Sequence, residues 1–69
     1  MVATFKTNVW EAHEASYLVS ILKGCFPDCR VNFDLEDCDK VLRIEGEYFS
    51  VELVRMILQR EGCRCEPLV

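Results

Sequence analysis

The chain has 69 residues, 12 acidic against 8 basic side chains, a net charge of −4 and 51% hydrophobic residues. That size supports one domain, residues 1–69, with a small core and room for one site, which leaves no space for the parts of a multistep enzyme. The acidic balance opposes nucleic-acid binding, which needs a basic face, and no apolar run is long enough for a bilayer.

The chain shows no charged leader followed by an apolar run and a small-residue cleavage site, so a cytoplasmic location is expected. Five cysteines, Cys25, Cys29, Cys38, Cys63 and Cys65, cannot all pair internally because their number is odd. In a reducing compartment such thiols serve as small buried hydrophobes, metal ligands or redox groups.

From Val2 to Val9, Ala3, Phe5 and Thr7 share one face and Thr4, Lys6 and Asn8 the other, which predicts a half-buried strand. Past Asn8-Val9-Trp10 the period changes. Ala12, Ala15, Leu18, Val19 and Leu22 recur at three and four residues, predicting a helix from Glu11 to Lys23. Glu11 and Glu14 suit the positive end of its dipole. Gly24 is expected to supply a left-handed cap.

Cys25-Phe26-Pro27-Asp28-Cys29 forms a connection, because proline biases Phe26 toward extended backbone. Val31, Phe33 and Leu35 then alternate with polar residues as a second strand. A turn at Glu36–Lys40 leads to a third, Val41–Glu45, completing a hairpin. Ser50 is a suitable N-cap for a second helix burying Leu53, Val54, Ile57 and Leu58. Gly62 ends it. The final run, Cys63–Leu68, alternates again, and Pro67 confines it to a sheet edge.

The predicted order is strand, helix, strand, strand, helix, strand. Right-handed crossovers fold it into an α+β split βαβ pair, a four-stranded antiparallel sheet with both helices on one face. This topology gathers Glu11, Glu14, Asp37, Cys38, Asp39, Glu61 and Cys63 at one pole. Cys25 and Cys29 belong to the other.

Several stretches then match a known pattern: Phe5-Lys6-Thr7-Asn8 before the junction, Ala15, Leu18 and Leu22 along the helix, and Gly24. Arg30 to Leu35, Asp39 to Gly46 and Glu61-Gly62-Cys63 continue it. Over nearly its whole length the chain resembles a heavy-metal-associated domain of the copper-chaperone type, which has a ferredoxin-like βαββαβ fold. The resemblance implies a metal-binding Cys-x-x-Cys where the first strand meets the first helix. Here Glu11-Ala12-His13-Glu14 stands in its place. Paired thiolates select Cu(I) and carboxylates suit harder cations, so a divalent metal such as zinc is expected in preference to Cu(I).

Glu11 and Glu14 lie one turn apart, about 60° on the helical wheel, and can share an ion with Cys63 or Cys38. The plainer reading is that both merely complement the helix terminus. His13 lies about 160° from Glu11 and projects with Tyr17 toward solvent. Trp10, His13, Tyr17 and Ile21 form a candidate partner surface. Cys63 opens the last strand beside the Glu11 loop, which makes it the thiol with the clearest functional position. Cys25-x-x-x-Cys29 has a zinc-compatible spacing without a second ligand pair, leaving a reversible disulfide as its redox reading.

No Ser/His/Asp set, glycine-rich phosphate loop or second histidine is present, so catalysis lacks its parts. The expectation is a small non-enzymatic binding module, taking a protein partner, a metal ion or a second copy of itself as a homodimer. Two alternatives remain open: a metallochaperone with ligands rearranged among Glu11, Glu14, Cys38 and Cys63, and a small-molecule-binding regulatory domain.

Overall fold

The computed structural model describes residues 1–68. In chain order they form β1 (Val2–Thr7), α1 (Ala12–Cys25), β2 (Arg30–Asp34), β3 (Val41–Glu45), α2 (Val51–Arg60) and β4 (Cys65–Leu68). The strands lie in the order β2-β3-β1-β4, and each neighbouring pair is antiparallel. The expected βαββαβ order and α+β sheet are therefore present, in a ferredoxin-like arrangement.

Strand alternation builds the core. Phe5 on β1 pairs with Leu42 on β3, and Ala3 with Ile44, so their side chains share the inner face. Phe5, Leu42 and Ile44 are completely buried. α1 packs on β2, α2 on β4, and the helices touch each other. Leu18 and Leu22 from α1, with Val54, Ile57 and Leu58 from α2, complete the layer. An edge-to-face pair, Phe26 on Phe49, closes one end with ring centroids 6.4 Å apart.

Two helix details differ from the sequence reading. Gly24 does not cap α1, because among the described residues only Lys40 (φ 48°) and Gly62 (φ 82°) have positive φ. The helix runs on through Cys25, and the Phe26 N–H still donates to the Leu22 carbonyl at 2.8 Å. Pro27 stops it by barring Phe26 from helical backbone. On α2, Leu53 is 42% exposed and not part of the core. The buried stripe centres on Val54, Ile57 and Leu58, leaving Leu53 on the flank. Ala12 is likewise exposed, being the first residue of α1.

α2 is well terminated. The Ser50 Oγ accepts from the Leu53 N–H at 3.1 Å. At the other end Gly62 N–H donates to Gln59 O at 3.0 Å and Cys63 N–H to Leu58 O at 2.9 Å. These are the paired bonds of a Schellman ending, and the left-handed Gly62 makes them reachable. The motif turns Cys63 inward.

Candidate functional site

The pole above the β1–α1 junction is built on Thr7, a buried hydroxyl with two partners. Its Oγ1 donates to the Lys40 carbonyl and accepts from the Val9 N–H at 3.2 Å. The Thr7 N–H donates to the Asp39 carbonyl at 3.0 Å. Asn8 continues the clamp, its Oδ1 accepting from the Arg64 N–H at 2.9 Å. Thr7 and Asn8 thus tie the β2–β3 loop and the entry to β4 onto the end of β1. The sequence places both at the junction without giving either a bonding role, although a Thr-Asn pair where a strand ends is a visible cue for local side-chain hydrogen bonding.

The residues expected at this pole separate into two groups. Glu14 and Cys63 meet, the Cys63 thiol lying 3.9 Å from the Glu14 Oε2. Glu11 precedes α1 as an exposed residue with no side-chain capping bond. Cys38 stands elsewhere, with Asp37 and Asp39, where the ligand atoms fall within 4.8 Å of one another. That trio is the one such group of three among the described residues, so Glu11, Glu14, Cys38 and Cys63 are not assembled as a single ligand set. The physical reason is local: Asp39 N–H bonds to Asp37 Oδ1 at 2.8 Å, which curls the loop on itself. An ion pair from Lys6 to Asp39 at 3.8 Å draws one carboxylate over β1.

Cys65 opens β4 and Cys63 precedes it, and both thiols hold their protons more tightly than a free cysteine. Burial pushes the Cys63 pKa up, and the negative charge and hydrogen bonding of Glu14 add to it, with Glu61 behind. Burial pushes Cys65 up to about 11, with Arg55 opposing and Cys63 reinforcing. Both side chains are buried, so they pack as small apolar groups facing the core.

No family model matches the chain, and no curated protein matches it. Its own donors therefore have to test the metal that the resemblance implies. A Cu(I) cargo, which paired thiolates select, does not fit the donors at the β1–α1 junction, where the carboxylate of Glu14 stands beside a single thiol, Cys63, and Glu11 precedes the helix. The Asp37, Cys38 and Asp39 trio has harder donors and lies on an exposed loop.

The residues expected as a partner surface are placed as follows. Trp10 is 72% exposed and Tyr17 57%, and His13 is exposed between them. Ile21 is half-buried and packs against the core, so it forms the floor of that stripe. Hydrogen bonding to Glu61, then its negative charge, raises the Tyr17 pKa, which sets Tyr17 beside the end of α2. On α2, Leu53 and Met56 lie three residues apart on one flank, 42% and 61% exposed. Sequence reading assigned Leu53 to the core and missed Met56. The two helices that carry these exposed apolar residues touch each other, which the sequence alone does not show.

Proposed function

We propose that the chain is a small non-enzymatic protein-binding module that docks its partner on the outer face of the two helices. The observation that carries this is that Trp10, just before α1, Tyr17 on α1, and Leu53 and Met56 on α2 are large and exposed, on two helices that touch. Aromatic side chains anchor interfaces because rigid rings bury much surface at little entropic cost, and the flexible, polarisable methionine adapts its shape to what it meets. Glu11, Glu14, Glu52 and Glu61 outnumber Lys23, Arg55 and Arg60 in these two segments, so a basic amphipathic segment is the partner class with matching chemistry. The scaffold reading is a heavy-metal-associated domain whose junction has exchanged soft thiolates for carboxylates. It is supported by the βαββαβ order and by the position of Glu11 and Glu14.

Trp10 is the single tryptophan, which gives the test a built-in reporter. Titrating a Lys/Leu amphipathic peptide should shift its emission to the blue, and Met56→Glu should weaken binding about tenfold, as expected for a charge placed in an apolar contact. An unchanged spectrum at saturating peptide would remove this reading. A second reading, weak divalent-metal binding, draws on the Asp37, Cys38 and Asp39 trio. Zinc titration under reducing conditions, compared with Cys38→Ser, decides it, and heat identical in the two proteins would end it.

A further inference from the structure

We infer that two copies of the chain associate through the free edge of β2, pairing antiparallel about a two-fold axis at Asn32 and joining two four-stranded sheets into one. β2 is an outer strand, so one side of its backbone carries N–H and C=O groups open to another strand. The opposite edge, β4, is guarded by Pro67, which offers no N–H. β2 has no such guard. Arg30-Val31-Asn32-Phe33-Asp34 contains neither proline nor glycine, and it pairs with β3 without a bulge.

Charge selects the occupant. Arg30 and Asp34 lie on one face of β2, about 13 Å apart along the strand, too far to neutralise each other. Among the described residues neither has an ion-pair partner. A two-fold axis at Asn32 sets Arg30 of each copy opposite Asp34 of the other, and Val31 opposite Phe33. An edge bearing two charges of one sign repels its own copy, whereas this one attracts it twice. Because the axis passes through a residue, the register works whichever residues point their backbone groups outward.

The helical layer leaves room for this. Glu14 and Tyr17 turn one flank of α1 toward Cys63 and Glu61, so the opposite flank, Ala12, Ser16, Val19 and Ser20, borders β2. These side chains are small, and the charged Lys23 on that side has a stem long enough to reach solvent. Val19, Phe33 and Leu35 are half-buried hydrophobics that a second copy covers. One short strand pair is a small interface, so affinity belongs on the order of micromolar to millimolar.

Sedimentation equilibrium under reducing conditions, from about 10 μM to 1 mM, should show reversible dimers of the wild type. Arg30→Asp and Asp34→Arg should each weaken dimerisation about tenfold, and the double swap R30D/D34R should restore it to within about threefold. Met56→Glu, on the helical face, should leave it unchanged, so this result stands or falls separately from partner docking. A monomer throughout the range, a double swap as weak as the singles, or loss of dimer in Met56→Glu alone would overturn the inference.

Discussion

Cys63 and Cys65 show how a side chain of ordinary chemistry is governed by its surroundings. At pH 8 a thiol with a pKa of about 8.5 is about a quarter thiolate, whereas one at about 11, as for Cys65, is ionised to only about 0.1%. Alkylation with iodoacetamide, followed site by site by mass spectrometry, should label the exposed Cys25 and Cys38 first and leave Cys65 slower by about a hundredfold or more. The sign for stability follows. The folded state holds the Cys63 and Cys65 protons more tightly than the unfolded chain, so their contribution is intact below about pH 8.5. It is lost as pH rises from there toward about 11. Urea midpoints should fall across that window, and Cys65→Ala should flatten the fall. That these cysteines face the core was legible from their alternation along the last strand. The closeness of Glu14 to Cys63 was legible only as a shared pole, because residues 49 positions apart meet through the packing of α1 beside the end of α2.

Among the elements, the two helix ends separate glycines that look alike in sequence. Each follows an apolar stripe, yet Gly62 is left-handed at φ 82° and Gly24 is not. A Cβ at Gly24 would meet nothing within 4 Å. Gly24→Ala should therefore stabilise the protein by about 0.5–1 kcal/mol through helix propensity. Gly62→Ala should destabilise it by about 1 kcal/mol or more, since alanine resists the left-handed region. Chemical denaturation of the two variants checks the opposite signs. Gly46 is special for another reason, as a Cβ there would stand 2.5 Å from the Cys29 Sγ. Nothing in the local sequence announces that approach, which arises because the residue after β3 passes against Cys29, just before β2.

For the molecule as a whole, one small core carries the stability, and Leu42 sits at its centre on β3, facing Phe5. Leu42→Ala should cost about 2–5 kcal/mol, against a total of about 3–10 kcal/mol for a domain of this length. Its urea midpoint should drop by about half, with circular dichroism at low denaturant showing whether a folded population survives. The element order, the inward residues of the strands, the Ser50 cap and the absence of a thiol pair at the junction could all be read from the residues alone. Each of these rests on local period or residue type, which the chain carries without reference to its folded neighbours. Folding in three dimensions was needed to show that Thr7 anchors the pole, that the acidic and thiol groups divide into two sets, and that Tyr17 stands beside Glu61 at the end of α2. Those facts depend on which faces meet across the sheet and between helices, and that is settled by packing distances that no single stretch of sequence contains.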